Sequence, residues 1–234
     1  MAGDALEEIA ELIAAVGRCY QSARRYRVIA DLCEERILPR ALEAGSTARA
    51  AARSGGLDAA TGGSLAEGLR ALLKAAAVPT WLPWPLPAGW LVTGFTGAGD
   101  DRSGTRGCVV ALSGPSPAGG LAEMLVISEE PGLGLGAGFA GLSGPDPGEG
   151  FATGSPVACI QFGLHEFPLW HVESAGAAAF AGEVLGNWVW VVLWPDTAGV
   201  LLVEALPLRD LRDPGLDLDL PFGAASPYLP GAGA

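Results

Sequence analysis

His165 and His171 are the only histidines in the chain, so any histidine-dependent catalysis would have to use one of them. Within a predicted strand at 167–173, alternation places His171 and Glu173 on the same face. A carboxylate beside an imidazole can hold the ring in one tautomer, as a general base requires. Such a pair is also typical of a polar patch that faces solvent, and the sequence leaves both interpretations open.

A second polar group lies in the loop Gly99–Gly104, where Asp100, Asp101 and Arg102 follow one another. Two carboxylates beside a guanidinium could form a hydrogen-bonding site or bind a divalent ion. Aspartate and glycine are also common turn formers. A hairpin turn or a structural salt bridge is therefore the competing interpretation.

Tryptophan, leucine and proline alternate in the segment Trp81–Pro87. Its three prolines forbid a helix and a central strand, so we expect an extended conformation. An exposed aromatic surface of this kind can recognise a ligand or a protein chain. Trp188, Trp190 and Trp194 instead share the parity that would line one face of a strand. The candidate binding residues are Trp81, Trp84, Asp100, Asp101, Arg102, His171 and Glu173, and no catalytic residue is assigned.

Other motifs predict no chemistry. Gly136–Gly141 matches the glycine pattern of dinucleotide-binding loops, but that site needs a helix that begins at the turn. Pro145 and Pro147 are expected to cut such a helix off. The four cysteines contain no C-x-x-C pair and are expected to be buried free thiols. The sequence therefore predicts neither a metal site nor a cofactor.

Composition bounds the class of protein. The 234 residues include 35 glycines and 18 prolines, yet 50% of the chain is hydrophobic, which favours a globular protein rich in turns. The net charge is −12, of which residues 1–60 contribute −1 and residues 61–234 contribute −11. A body this acidic repels phosphate, so we expect no nucleic-acid partner and no adhesion to an anionic membrane.

The chain is expected to be cytoplasmic and to have no membrane span. Its first residues are acidic, whereas a signal peptide begins with basic residues. The most apolar stretch, Val184–Pro195, is 12 residues long, and a membrane-spanning helix needs about 20.

Periodicity divides the chain into three parts. Residues 1–44 are predicted to be helical, because Leu6, Ile9 and Ile13 begin an apolar stripe at helical spacing. The opposite face carries a group of arginines, which could bind a partner or simply face solvent. Residues 45–63 have the composition of a flexible linker. Residues 64–234 are predicted to form an α+β domain that opens with a helix through about Val78.

Eight short strands are predicted in that domain, separated by Gly- and Pro-rich turns. No long helical pattern lies between them, so the fold class is α+β with a mainly antiparallel sheet. The residues after Pro221 are expected to be a loop or tail. The predicted strands are 89–95, 107–113, 121–128, 157–163, 167–173, 178–184, 188–194 and 199–206.

Residues 79–229 resemble an uncharacterised family of proteins from high-GC bacteria. The resemblance is carried by the string Pro79–Trp90, the loop Gly99–Gly104, and Gly186-Asn-Trp188, with further matches at Gly144–Gly148, Pro168–Trp170, Gly182–Glu183, Trp194–Pro195 and Asp210–Asp213. Members of that family begin with a cysteine-rich segment that looks like a zinc ribbon. This chain has predicted helices there and no C-x-x-C pair, so zinc binding is not carried over.

The leading hypothesis is a non-enzymatic interaction or ligand-sensing module. In this hypothesis residues 1–44 bind a protein partner or another copy, and the Trp/Pro segment and the loop at 99–104 form the recognition surface for a protein or small molecule. The alternative is a hydrolase or acyltransferase-type enzyme that uses His171, Glu173 and the Asp100–Arg102 loop.

Overall fold

A computed structural model of the protein describes residues 65–100, 104–213 and 220–229. The predicted helical segment 1–44 and the predicted linker 45–63 lie outside the described residues. The described chain is dominated by one nine-stranded mixed sheet with short helices at its borders. The predicted sheet-rich α+β class is therefore confirmed for this part of the chain.

The elements alternate strands and turns with little intervening helix. The helices are α1 (Leu65–Ala75), α2 (Leu135–Phe139) and a 3-10 helix (Asp196–Leu202). The strands are β1 (Trp81–Pro83), β2 (Leu91–Asp100), β3 (Gly104–Pro115), β4 (Leu121–Glu129), β5 (Ala158–Phe162), β6 (His165–Val172), β7 (Ala178–Val184), β8 (Asn187–Trp194) and β9 (Leu206–Asp210).

The strand order is β1-β9-β5-β6-β7-β8-β4-β3-β2. Every neighbouring pair is antiparallel except β5 and β9, which are parallel. Strand β1 lies at one edge of this order, yet it also contacts β3 and β4 near the other edge. The sheet is therefore strongly curled and encloses one of its faces.

Both faces of the sheet are buried over its centre, which explains why β8 is an almost unbroken apolar run. Val189, Val191 and Leu193 point into the enclosed inner core, whereas Trp190 and Trp194 belong to an outer core. Trp188 packs against that outer core as well. The predicted common face of the three tryptophans is thus confirmed.

Helix α1 closes part of the inner core. Leu69 is buried there, and Leu72 lies over Gly97 of β2 so closely that a Cβ at that glycine would be 2.7 Å from the leucine side chain. The helix ends at Ala75, earlier than the predicted Val78. Ala76 bridges Thr105, and the Ala77 N–H donates to the Thr105 carbonyl at 2.9 Å, so the chain joins the sheet before Pro79 is reached.

One local prediction is wrong. The first half of the predicted strand 199–206 belongs to the 3-10 helix, in which Ala198, Gly199 and Leu202 are buried, and strand β9 begins only at Leu206. Gly199 of this helix packs on Ala178 and Phe180. Helix α2 was not among the predicted elements, but its five residues end before Pro145, as the prolines there led us to expect.

The C-terminal segment 220–229 lies along the edge strand β2. The Val92 N–H donates to the Pro221 carbonyl, and the Gly223 N–H donates to the Val92 carbonyl, both at 2.9 Å. Tyr228 stacks on Trp194 with ring centroids 4.0 Å apart. The expected loop or tail thus covers an otherwise unpaired sheet edge, which removes a site of edge-to-edge association.

Candidate functional site

His171 lies on the inner side of β6, directly opposite Phe180 of β7. The two rings meet edge to face, with centroids 5.8 Å apart. Glu173 is exposed just beyond the end of β6. The two residues therefore lie at one end of the sheet, as part of the border of the inner core.

Asp100 is the last residue of β2, and Asp101 and Arg102 lie outside the described residues. Four strands separate β2 from β6 in the sheet. The strand register gives the same result. Starting from His171, the successive cross-strand partners are Phe180, Val191, Val126, Val110 and Phe95. His171 is therefore level with Phe95 in the middle of β2, whereas Asp100 is at the end of that strand. The described strands therefore do not bring His171 next to Asp100 at the end of β2.

The Trp/Pro segment begins with the short edge strand β1, which pairs only with β9. Trp81 is 1% exposed and meets Phe162 edge to face at 4.8 Å. Trp84 is half-buried against the inner core. The extended conformation matches expectation, but Trp81 is a core side chain and offers no surface for recognition. Trp84 is the accessible aromatic ring of the pair.

Two tryptophans that sequence reasoning left aside form an aromatic cluster on the outer face. Phe151 lies between Trp170 and Trp188, with centroid distances of 5.5 and 5.2 Å and edge-to-face geometry in both pairs. The Trp188 indole N–H donates to Asp146 Oδ1 at 3.1 Å, and the Trp170 indole N–H donates to the Gly154 carbonyl at 2.8 Å. We call Phe151, Trp170 and Trp188 the outer aromatic cluster. It fastens the loop after α2 onto the sheet.

Glu129 is a fully buried carboxylate that holds the start of α2. Its two oxygens accept the N–H groups of Leu135 at 2.5 Å and Gly136 at 3.0 Å. Burial raises the pKa of Glu129, and the hydrogen bonds from these two amides oppose that shift. The amides that would hold a phosphate in a dinucleotide site are thus already occupied.

Gly136 also explains part of the glycine motif in steric terms. A Cβ at this position would lie 2.2 Å from the Trp190 ring, so only glycine lets α2 approach the sheet. At Gly138 a Cβ would meet nothing within 4 Å. The first glycine of the motif is therefore required for α2 to pack against Trp190, whereas the second is not.

A polar clamp ties the end of α1 to β9. The Asp210 carboxylate accepts the Thr80 N–H at 3.1 Å and pairs with the Arg212 guanidinium at 2.8 Å. That guanidinium also donates to the Ala77 carbonyl at 3.0 Å. The Asp210–Asp213 string thus has a structural role at its first and third residues.

The two cysteines in the described residues, Cys108 and Cys159, are buried and form no disulfide, as expected, whereas Cys19 and Cys33 lie outside them. Burial raises the pKa of Cys108 to about 11, against smaller opposing effects of Thr80 and Arg212. This thiol is consequently protonated at neutral pH and a poor nucleophile.

The turns β2–β3, β5–β6 and β7–β8 lie at the same end of the sheet, opposite the end that holds His171. We call this end the turn rim. Two of these three turns expose a leucine. Leu164 in the β5–β6 turn is 96% exposed, and Leu185 in the β7–β8 turn is 63% exposed. Leu185 has a φ of 54°, in the left-handed region that favours glycine or asparagine. The Asp100 loop belongs to the same rim.

Two further properties concern only residues 65–100, 104–213 and 220–229. No group of three His, Cys, Asp or Glu side chains there could hold a metal ion. In the same residues, no helix has the length and apolar character needed to cross a membrane.

A family model described as a family of unknown function (DUF6758) matches residues 58–229. The match covers most of the chain, including every described element and the turn rim. No curated protein and no solved structure matches the chain.

Proposed function

We propose that this chain, which belongs to the DUF6758 family of unknown function, is a non-enzymatic protein-interaction module whose contact surface is the turn rim. The observation that carries the proposal is the pair of exposed leucines at neighbouring hairpin tips. Strands β6 and β7 are neighbours in the sheet, and the turns that carry Leu164 and Leu185 lie at the same end of it.

The leucine at 185 is costly in the isolated protein. A non-glycine residue in the left-handed region loses about 1–2 kcal/mol of conformational energy. An asparagine would suit both the backbone and the water around it. Strain of this kind at an exposed position supports a contact role, because burying a leucine in a partner yields about 1.5–3 kcal/mol.

The polar loop at Asp100–Arg102 completes the proposed surface. Protein interfaces commonly have an apolar centre and a charged border. In this proposal the two leucines form the centre and the loop forms the border. A protein partner suits this arrangement better than a small molecule, since small molecules favour concave sites and hairpin tips are convex.

Residues 1–44 supply a second contact element in the proposal, for a partner or for another copy. Their apolar stripe at helical spacing supports this role. Trp84 remains a further candidate contact, because its ring is half-exposed.

The rim is tested by quantitative co-purification of the tagged full-length chain from its native cells, with mass spectrometry of the bound proteins. The variant is Leu164→Ser combined with Leu185→Asn. We expect one or more reproducible partners to fall at least tenfold in the variant, since losing about 1.4 kcal/mol of binding energy is a tenfold effect.

Leu121→Ser is the matched control, because Leu121 is 77% exposed but lies next to the β3–β4 turn at the opposite end of the sheet. Partners should be retained by this control. The turn rim would be refuted as the contact surface if the wild type, the double variant and the control recovered their partners equally. It would also be refuted if the control lost partners as strongly as the double variant.

A further inference from the structure

The charge of the chain is distributed very unevenly. Between Gly107 and Leu208 the sequence contains ten acidic residues and no lysine or arginine. Residues 1–60, in contrast, contain eight of the chain's 14 basic residues, all of them arginines. Residues 1–60 as a whole have a net charge of −1, but the stretch 18–27 within them contains four arginines and no acidic residue.

The carboxylates do not cover the surface evenly either. Glu166 of β6 and Glu183 of β7 are exposed on the outer face, and Asp146 and Glu149 are exposed in the loop fastened to that face. Glu183 is the cross-strand partner of Trp188, whose indole bonds Asp146. The outer aromatic cluster is thus bordered by carboxylates on two sides.

This combination selects for arginine. A guanidinium stacks on tryptophan faces and forms paired hydrogen bonds with carboxylates, so a site that offers both favours arginine over lysine. Trp170 and Trp188 are half-buried rather than fully covered, so parts of their rings remain accessible.

We propose that the arginine-rich segment 18–27 of the same chain docks on the outer face beside the outer aromatic cluster. The segment carries Arg18, Arg24, Arg25 and Arg27 within ten residues. The inference goes beyond the proposed function, because it concerns a different surface and does not require any external partner.

The chain is long enough for this contact. A linker such as 45–63 has an r.m.s. end-to-end distance of about 24 Å if it is flexible. A domain of about 170 residues has a radius of gyration of only about 15 Å. The tethered segment reaches the outer face, and a short tether gives it a local concentration of order millimolar.

Cys19 lies inside the segment and allows a direct test on the full-length protein. A nitroxide spin label is attached to Cys19 in a Cys33→Ser background, and the indole N–H signals of the seven tryptophans are recorded by NMR. A protein with both cysteines replaced measures any labelling of the buried thiols. We expect the label to weaken the Trp170 and Trp188 signals strongly and to leave those of Trp81 and Trp90 unchanged.

Electrostatic docking also predicts a salt effect. The weakening of the Trp170 and Trp188 signals should disappear in about 1 M NaCl, where the Debye length is about 3 Å.

Charge reversal on the outer face tests the same contact. The weakening should be lost in the variant that combines Glu166→Lys with Glu183→Lys. It should be retained in the control variant Glu204→Lys, which reverses the charge of an exposed residue after the 3-10 helix. Adding Arg24→Glu and Arg25→Glu to the double lysine variant should restore it. Unchanged Trp81 and Trp90 signals report that each variant is folded.

Three results would each overturn the proposal. The first is equal signals with and without the label, and the second is equal weakening of all seven indole signals. The third is weakening that survives the double charge reversal. Mixing labelled protein with separately isotope-enriched, unlabelled protein distinguishes the source of the contact. Weakening in that mixture would also overturn docking within one chain. A failed rim test leaves this result unaffected, so the two proposals fail separately.

Discussion

The outer aromatic cluster and the turn rim make opposite use of apolar side chains. On the outer face, the indole N–H groups of Trp170 and Trp188 are both bonded to the neighbouring loop, and Phe151 fills the space between the rings. On the rim, Leu164 and Leu185 extend into solvent, and one of them occupies an unfavourable backbone region. The difference teaches that the two surfaces suit different contacts. Half-buried indoles bordered by carboxylates favour arginine side chains, whereas exposed apolar hairpin tips favour the apolar centre of a protein interface.

The largest effect is expected for Trp190→Ala under the outer face. Trp190 is fully buried beneath α2, so its removal leaves a large cavity and should cost about 3–5 kcal/mol of unfolding free energy. Urea denaturation measures this loss. Leu185→Ala on the rim should change stability by less than about 1 kcal/mol, and a cost similar to that of Trp190→Ala would erase the contrast between the two regions.

A second experiment tests how closely α2 approaches the sheet. Gly136→Ala places a methyl group into the Trp190 ring and should destabilise the protein by about 1–3 kcal/mol. Gly138→Ala is the matched control, because its methyl group meets no neighbour and should be neutral or stabilise the helix by up to about 1 kcal/mol. Equal unfolding midpoints for the two variants would contradict the packing described.

The pH dependence of stability tests Glu129. Its pKa is raised in the folded protein, so the folded state binds the proton more tightly than the unfolded state. This contribution is favourable below the unfolded pKa of 4.5 and is lost as pH rises through the folded pKa. Wild type should therefore lose stability relative to Glu129→Gln over that range, by about 1.4 kcal/mol per unit of the difference in pKa.

Glu130→Gln is the control for the pH experiment. Glu130 pairs with Arg106 at 2.7 Å, but both side chains are more than one third exposed, so the pair is worth at most about 1 kcal/mol. A constant difference between wild type and Glu129→Gln at all pH values would show that the buried carboxyl does not titrate as described.

The smallest effect is expected at the rim, where stability and binding should change in opposite directions. Leu185→Asn should stabilise the chain by several tenths to about 1 kcal/mol, because asparagine tolerates the left-handed region. The same variant should weaken partner recovery. Thermal denaturation and co-purification on one preparation measure both, and a variant that loses stability would remove the argument from strain.

Several features followed from local patterns. Alternating apolar residues located seven of the nine strands, and Pro79 marked the region where α1 gives way to the sheet. The family of unknown function also agrees with the resemblance carried by the Trp- and Pro-rich strings. The 3-10 helix and α2 were missed, because helices of seven and five residues are too short to establish a period.

The candidate site was less accessible to sequence reasoning. Trp81 and Trp84 differ by only three positions, yet one is in the core and the other is half-exposed. His171 and Asp100 are polar residues near strand ends, but four strands lie between them. The exposure of Leu164 and Leu185 had no sequence signal, because a leucine beside a glycine is typical of a strand end as well as of a turn tip.

By itself, the sequence determined the kinds of element and the imbalance of charge, since periodicity, proline positions and residue counts are local properties. Tertiary structure decided which tryptophans are buried, which amides Glu129 occupies and which turns share a rim. Those properties depend on strand order and on the curl of the sheet. Both are set by long-range pairing such as β5 with β9, between residues more than 40 positions apart.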